Sequence, residues 1–310
     1  MGRLRGQLDP RTAALTGAAM VAFAANSVLC RLALGARHID AASFTAVRLI
    51  SGAVMLAVIG RWIGRRSRGS SAGERPTGWR RWTPPVSLFL YAICFSFAYL
   101  TLSAGTGALI LFGAVQVTMI AVGLAAGERP HAFEWSGLTI ALGGLVFLVS
   151  PGLTAPPLAG AALMAVAGVS WGAYSLAGAG AQHPVAATSR NFLLAAPLAV
   201  AALVLLPGGS ATPEGLLLAA LSGALASGLG YVLWYAALRG LAATRAATVQ
   251  LSVPVLAALA GVAFLAERIS PRLALASVVV LGGVGLSILG RAPRPAARVA
   301  AAEDGVHPAE

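Results

Sequence analysis

The sequence contains no lysine, and charged residues of every kind are scarce. All 22 basic residues among its 310 are arginine, ten residues are acidic, and charged side chains make up 10% of the chain. In soluble globular proteins, charged residues make up about a quarter of the chain on average. Hydrophobic residues reach 58%, and the mean hydropathy is +0.81. This composition excludes an ordinary soluble domain and predicts a protein that crosses the membrane several times.

Cysteine and the usual catalytic groups are equally rare. Cys30 and Cys94 lie in apolar runs, which indicates neither a disulfide framework nor a paired-cysteine metal site. The ten acids and four histidines fall in loops, tails or helix ends, and no paired carboxylates, metal cluster or nucleophile beside a base is evident. We therefore expect no metal, no cofactor, no catalytic residue and no enzymatic activity.

Two other classes of function stay open at this point. An intramembrane lipid-modifying enzyme would need acids or histidines that face one another near the bilayer surface, and a membrane scaffold or sensor would need neither. The net charge of +12 and the isoelectric point near 11.4 would suit nucleic acid, but no basic stripe interleaved with aromatics follows one soluble face. The expected partners are a small-molecule substrate and membrane lipids, with a homodimer left open.

Apolar runs of about 20 residues predict membrane-spanning helices, because 1.5 Å per residue then matches a hydrocarbon core of about 30 Å. The runs cover roughly residues 12–34, 43–63, 86–104, 107–126, 134–149, 158–180, 188–206, 215–238, 244–266 and 272–290. The sequence thus predicts an all-α membrane protein with ten transmembrane helices. The polar, proline-rich tail at 291–310 is predicted to be disordered.

One long stretch of the chain occurs twice in related form. The segment AYLTLSAGTGALILFGAVQVTMIAVGLAAGER resembles the later GYVLWYAALRGLAATRAATVQLSVPVLAALAGVAFLAER. Tyr99 then matches Tyr231, and Gln116 matches Gln250. The pieces LGGLVFL and LGGVGLS, which follow the two copies, also match. The repetition indicates a tandem duplication.

The two halves cover about 12–150 and 157–290. Each holds five predicted spans, an odd number, so the second half must insert upside down and the duplication becomes an inverted repeat. With the N-terminus inside, 17 arginines fall in inner segments and three, Arg37, Arg268 and Arg272, in outer loops. The positive-inside rule then places both termini and the tail in the cytoplasm, in a plasma or bacterial inner membrane.

Four motifs together carry a resemblance to a known family. They are AANSVLCRLAL, FTAVRLISGA, GYVLWYAALRGL and QLSVPVLAALAGVAFLAERIS. The chain resembles the paired EamA domains of the drug/metabolite transporter superfamily over about residues 12–290. The resemblance implies a ten-helix carrier of small metabolites. The first half departs from the family pattern at Val115, where the second half has Pro254, and valine implies no proline kink.

Arg31 and Arg48 lie well inside predicted spans, at similar depth on either side of the outer loop. Two interpretations stay open: they form a shared mouth that attracts anions, or each side chain snorkels to the outer headgroups. Glu128 and Glu267 end their helices, and we expect each to pair with the arginine that follows it.

The remaining candidates are polar or aromatic residues within spans. The matched tyrosines and glutamines either line a cavity or form hydrogen bonds between helices, and the tryptophans also suit membrane interfaces. The predicted substrate-binding residues are Asn26, Arg31, Arg48, Tyr99, Gln116, Trp171, Tyr174, Tyr231, Trp234, Tyr235 and Gln250.

The resemblance implies a secondary transporter that exports or imports, with export the expected direction, and the polar and aromatic candidates favour small amphipathic metabolites such as amino acids. Alternating access by the two inverted halves would move the solute. No carboxylate or imidazole lies in the middle of a predicted span, where proton-coupled carriers commonly place them. We therefore expect a facilitator or exchanger that follows the substrate gradient.

Overall fold

A computed structural model describes residues 9–66, 81–125, 132–152, 155–178, 183–206, 208–238, 241 and 249–289. The predicted pairing of Glu128 with Arg129 and the predicted disorder of the tail at 291–310 concern residues outside these ranges.

Apart from one isolated bridge between Ile39 and Ala211, the regular structure in the described ranges is helical. The helices are α1 Pro10–Gly35, α2 Ala41–Arg66, α3 Thr83–Ala98, α4 Ala104–Ala125, α5 Ala132–Val149, α6 Leu158–Gly178, α7 Pro184–Leu205, α8 Pro213–Leu238, α9 Ser252–Leu265 and α10 Pro271–Leu289. The predicted all-α class is confirmed.

Length and composition divide these helices into two groups. In the described part of the chain, six are long and apolar enough to cross a membrane: α1, α2, α4, α6, α7 and α8. The apolar parts of α3, α5, α9 and α10 are shorter. For example, α9 has 14 residues, which reach about 21 Å against a core of about 30 Å. The full count of ten spans stays a prediction.

Prolines explain where several helices begin. Pro10, Pro184 and Pro213 occupy the first turns of α1, α7 and α8, where a missing N–H costs no hydrogen bond. Pro254 also accounts for a helix start, inside the span predicted at 244–266. Because it has no N–H to bond the carbonyl of Gln250, the helix restarts as α9 just after a turn residue at 251.

The connections after α1, α3, α5, α7 and α9 lie at one end of the molecule and are joined by polar contacts. This end is called the linked end. The His38 carbonyl accepts from the Thr212 backbone N–H at 2.7 Å, which joins the α1–α2 and α7–α8 connections. Arg272 Nη2 donates to the Ser150 carbonyl at 2.6 Å, which joins α10 to the end of α5. The starts of α1 and α7 therefore lie at the opposite end.

Helix α8 changes its winding in the middle. Residues Ser222–Leu229 form a π-helical segment between two α-helical stretches. This segment lies against α2, and a Cβ atom at Gly223 would collide with the Arg48 carbonyl and the Ser51 side chain. A glycine is therefore required for this close approach.

Candidate functional site

A small cavity lies between α1, α3, α4, α6 and α8, so both predicted halves contribute to its wall. Its volume of about 20 Å³ holds roughly one water-sized molecule. The lining residues are Phe23, Asn26, Ser27, Tyr91, Phe95, Leu111, Phe112, Trp171, Ala226, Ser227 and Tyr231. The cavity is narrow and mainly aromatic, with a few polar groups.

Hydrogen bonds connect the polar groups at this cavity into one network. Asn26 Nδ2 donates to Tyr91 Oη at 3.2 Å, and its Oδ1 accepts from Ser222 Oγ at 2.6 Å. Arg48 Nη2 donates to the same tyrosine oxygen at 2.9 Å, and Arg48 Nε donates to Ser227 Oγ at 3.2 Å. The network joins α1, α2, α3 and α8 in the interior of the protein.

Arg48 is the most unusual member of this network. It is 1% exposed, its Nη1 has no hydrogen-bond partner, and no carboxylate of the described residues forms an ion pair with it. The guanidinium lies 5.1 Å from the Tyr91 ring centre and 4.9 Å from that of Phe95. Aromatic faces and neutral hydroxyls compensate a buried cation only in part. The site is therefore suited to bind an anionic group.

Aromatic rings form the rest of the wall. Trp171 is at the centre, with ring centroids 4.9 Å from Tyr91, 5.1 Å from Tyr231 and 5.4 Å from Tyr174. Phe23 meets Tyr231 edge-on at 6.0 Å. Such rings bury an apolar solute surface, and their hydroxyls and indole N–H groups offer polar contacts at the margin.

The π-helical segment explains how α8 supplies two serines to one network. In an α-helix, residues five apart point about 140° away from each other. A π-helix closes its hydrogen bonds between residues five apart and winds more widely. Ser222 and Ser227 consequently reach Asn26 and Arg48, respectively.

A separate polar cluster lies at the linked end. Arg31 Nε is 3.3 Å from Glu267 Oε1, and Arg31 Nη1 donates to the carbonyls of Tyr99 and Leu100 at 2.9 and 3.3 Å. Glu267 also accepts the backbone N–H of Ala104 at 2.9 Å. One ion pair thereby ties together the ends of α1, α3 and α9 and the start of α4.

The predicted pairing of Glu267 with Arg268 is wrong. Ala266 adopts a left-handed conformation with φ of 52°, and the N–H of Glu267 returns to the Gly261 carbonyl at 3.1 Å. The chain reverses there, so the carboxylate bonds Arg31 and α4 rather than the adjacent side chain.

The predictions for Arg31 and Arg48 also change. Arg48 is enclosed, so it does not snorkel to headgroups, and Arg31 has a carboxylate and two carbonyls as partners. Arg31 contacts Glu267 and backbone carbonyls whereas Arg48 contacts Tyr91 and Ser227, so the two side chains share no hydrogen-bond partner among the described residues. The reason is that each side chain follows its own hydrogen-bond acceptors.

Other predicted residues separate into those at the cavity and those away from it. Asn26, Trp171 and Tyr231 line it, Tyr174 packs on Trp171, and Trp234 packs on Phe23. Four other predicted site residues do not line the cavity. They are Tyr99, which donates to the Ala104 carbonyl at 3.3 Å, Gln116, which is buried in α4, and the half-buried Tyr235 and Gln250.

Sequence reasoning missed several members of the site. Tyr91 accepts two of the hydrogen bonds, and Ser222 and Ser227 complete the network. The polar-aromatic criterion that selected Tyr231 would have selected Tyr91 too. The two serines had no comparable signal, since serine is common in membrane helices for packing reasons.

Comparison with known proteins identifies the family. The profile of the EamA-like transporter family matches residues 158–289. An uncharacterised protein of Pseudomonas aeruginosa is 53% identical over 295 residues, which cover 93% of this chain and 99% of that relative. The uncharacterised transporter YwfM of Bacillus subtilis (strain 168) is 30% identical over 276 residues, with 81% and 85% covered. The chain belongs to the EamA-like transporter family.

One further relative of this EamA-like transporter and one solved structure are informative. The threonine/homoserine exporter RhtA of Escherichia coli (strain K12) is 36% identical over 161 residues, which cover 49% of this chain and 52% of that protein. A solved crystal structure, described only as that of a protein, has a TM-score of 0.60 at 21% identity and covers 88% of this chain and 96% of its own. At that identity the likeness shows a shared fold.

The predicted EamA resemblance is thereby confirmed, and the protein is a membrane transporter with apolar transmembrane helices. The family favours transport over enzymatic activity.

Proposed function

We propose that this EamA-like protein is a secondary transporter that exports small amphipathic metabolites, such as amino acids, across the plasma membrane by alternating access. The observation that carries the proposal is the enclosed guanidinium of Arg48 beside an aromatic cavity, with Nη1 free of any partner. A substrate carboxylate would accept from Nη1 as a charge-assisted hydrogen bond. The rings around Trp171 would cover the apolar part of the solute.

Amino acids that carry a hydroxyl group are the first candidates. RhtA, which shares 36% identity over about half of this chain, is named as a threonine/homoserine exporter. The polar groups of Asn26, Ser27 and Ser227 at the cavity could hydrogen-bond a hydroxyl or an ammonium group. Arg48 supplies the complementary charge for the carboxylate.

The cavity as it stands is too small for such a solute, since it holds about one water. Binding therefore requires Trp171 of α6 to separate from Tyr91 of α3, whose rings lie 4.9 Å apart. These helices belong to different predicted halves, so opening between the halves would enlarge the cavity. A solute that binds only the open packing shifts the balance between two states.

We also propose that all ten helices cross the membrane as two inverted five-helix repeats, at 12–150 and 157–290, with both termini in the cytoplasm. The linked end would then face outward. Cysteines introduced at Ser70 and at the exposed Ser210 test this arrangement in intact cells. An impermeant thiol reagent should label S210C from outside and S70C only after the membrane is opened. Labelling of both from the same side would contradict the inverted repeat.

Counterflow into proteoliposomes that contain the purified protein tests the transport function. L-Threonine, L-homoserine and L-phenylalanine are compared with L-threoninamide, which lacks the carboxylate, and with spermine. We expect exchange of the acids and weak exchange of the amide. Preference for the polyvalent cation, chemical conversion of a solute, or no movement of any solute would overturn the proposal.

The energy source follows from where the acids lie. The carboxylates of described residues that form contacts, Asp40, Glu214 and Glu267, lie in connections or at helix ends. We therefore propose a facilitator or exchanger without proton coupling. Counterflow should persist without a pH gradient, whereas accumulation of solute driven by a proton gradient alone would contradict this mechanism.

A further inference from the structure

Arg190 occupies the place in α7 that Arg48 occupies in α2. These are the second helices of the two predicted halves, and the segments RLISGAVMLAV and RNFLLAAPLAV align without a gap from the two arginines. Arg48 is the eighth residue of α2, and Arg190 is the seventh residue of α7. The duplication therefore places an arginine about two turns into each helix.

Arg48 and Arg190 each have an enclosed guanidinium nitrogen without a hydrogen-bond partner. Four enclosed side-chain atoms of the described residues have no such partner: Arg48 Nη1, Arg190 Nε, Tyr174 Oη and Asn191 Oδ1. Two of the four are guanidinium nitrogens at equivalent positions of the repeat. An enclosed polar atom without a partner costs about 1–3 kcal/mol, so native proteins keep few of them without a functional reason.

The other two atoms lie close to Arg190 in the chain or on the neighbouring helix. Asn191 follows it directly and is 6% exposed, and Tyr174 of α6 is 3% exposed. The Tyr174 hydroxyl lies near the side chains of Asn191 and Thr188, although its contacts do not have the geometry of a hydrogen bond. The Tyr174 hydroxyl and the Asn191 side chain thus lie near each other between α6 and α7, and Arg190 directly precedes Asn191 on α7.

The two arginines lie toward opposite ends of the protein. Helix α2 begins at the linked end and α7 begins at the opposite end, so each arginine is about 10 Å inside its own end. The cavity lies between them along α6: Trp171 lines it, and Tyr174 packs on Trp171 one turn farther from the linked end. A solute that leaves Arg48 through the cavity would next meet Tyr174.

We propose that Arg190, with the Tyr174 hydroxyl, forms a second carboxylate-binding station of the transport path, the repeat-related counterpart of Arg48. This inference rests on the proposed function. The substrate carboxylate is held by Arg48 when the path is open to the linked end and by Arg190 when it is open to the opposite end. Arg190 Nε and the Tyr174 hydroxyl are the donors.

Uptake of L-threonine into right-side-out and inside-out membrane vesicles tests the station from each face. Loss of a hydrogen bond to a charged group corresponds to about a tenfold change in affinity. We expect Arg190→Gln to raise KM about tenfold at the opposite-end face and to leave KM at the linked-end face unchanged. Arg48→Gln should raise KM mainly at the linked-end face. Arg190→Lys, which keeps the charge, should lie between wild type and Arg190→Gln.

Arg61→Gln is the matched control, because Arg61 is exposed and lies near the same end of the protein as Arg190. It removes the same charge without removing an enclosed donor, so KM should change little at either face. An Arg190→Gln variant that behaves like Arg61→Gln, or that raises KM equally at both faces, would overturn the second station.

A binding measurement separates this inference from the proposed function. Sodium acetate and acetamide are added to the purified protein in detergent at matched ionic strength, and Tm is recorded. Acetate should raise the Tm of the Arg48→Gln variant, and the Arg48→Gln/Arg190→Gln variant should lose that rise. An equal rise in both variants overturns the station. The rise in Tm could depend on Arg190 while wild type exchanges no acid in liposomes. That result would support carboxylate binding at Arg190 and contradict the proposed transport function.

Discussion

Arg31 and Arg48 carry the same group on consecutive helices, and they differ in whether an acid is present beside them. Arg31 has Glu267 at 3.3 Å and two backbone carbonyls, and its side chain is 26% exposed. Arg48 is enclosed, bonds two neutral hydroxyls and keeps one nitrogen without a partner. The first arrangement joins helix ends, whereas the second leaves capacity for a bound anion.

Burial of an arginine indicates its role only together with the presence or absence of an acidic partner. An arginine whose acceptors all belong to the protein is part of its architecture, because every contact stabilises the folded chain without a ligand. An enclosed arginine without a carboxylate weakens the fold unless an anion arrives. Removing Arg48 should therefore affect transport more than stability, and breaking the Arg31 pair should affect stability more than substrate preference.

The largest expected effect follows from replacing Arg48. We expect Arg48→Gln to lower kcat/KM for L-threonine counterflow about 100-fold, the equivalent of losing a strong hydrogen bond to a charged group. The Tm in detergent should stay the same or rise, since no buried carboxylate loses its partner. Arg48→Lys serves as the control that keeps the charge. Full transport by Arg48→Gln, or a large fall in its Tm, would contradict the assignment of Arg48 to transport and of Arg31 to stability.

The second effect concerns the Arg31 pair. We expect Glu267→Ala to lower the free energy of unfolding by about 2–3 kcal/mol, because Arg31 loses its acid and the Ala104 N–H loses its acceptor. Thermal unfolding in detergent measures the change. Glu214→Ala is the control, since the Glu214 side chain is 75% exposed in its contact with His38 and such pairs contribute little.

The charge-swapped variant Arg31→Glu/Glu267→Arg sharpens the same contrast. It restores opposite charges but provides no acceptor for the Ala104 N–H and no donor for the Tyr99 carbonyl, so we expect little recovery of Tm. Full recovery would mean that charge alone, rather than the backbone contacts, holds this end together.

A third test acts on the backbone around Arg48. We expect Gly223→Ala to destabilise the protein by about 2 kcal/mol, because a Cβ atom there meets the Arg48 carbonyl and pushes α8 from α2. Gly17→Ala is matched to it, since a Cβ at Gly17 meets nothing within 4 Å and alanine favours the helix. Equal Tm values for the two variants would show that the close approach is not required.

The smallest effect is expected for Asp40 at the linked end. Burial alone would raise the pKa of Asp40, but hydrogen bonds from Ser43, Gly209 and Ala42 outweigh it and hold the pKa below its ordinary value of 3.8. The folded state thus gains stability that is present above about pH 4 and is lost as the pH falls through the lowered pKa. The Tm of wild type should fall more steeply than that of Asp40→Asn below pH 4.

At neutral pH, Asp40→Ala should cost about 1 kcal/mol, the usual value of a helix N-cap, because its carboxylate accepts the N–H groups of Ala42 and Ser43 at 3.0 and 2.9 Å. A pH profile of Tm that is the same in wild type and Asp40→Asn would contradict the role assigned to this carboxylate.

Part of the site was predictable from single residues. Polar aromatic side chains in apolar runs are costly unless they face protein or water, so Tyr231 and Trp171 were found at the cavity. Tyr99 meets the same criterion but lies just after α3, where it donates to the carbonyl of Ala104 at the start of α4 and does not line the cavity. Whether such a residue faces a cavity or a helix end depends on the rotation of its helix, which a nearly uniform apolar pattern does not set.

The helical class, the apolar length of the long helices and the family could be predicted from the order of the residues alone. These follow from local hydropathy, since a chain in lipid must satisfy its backbone hydrogen bonds within each helix. Which groups meet depends on the packing of the helices: Glu267 contacts Arg31 across 236 positions, and Ser227 contacts Arg48 across 179. Such pairs depend on helix packing and on the π-helical winding of α8, and neither leaves a periodic signal in the order of the residues.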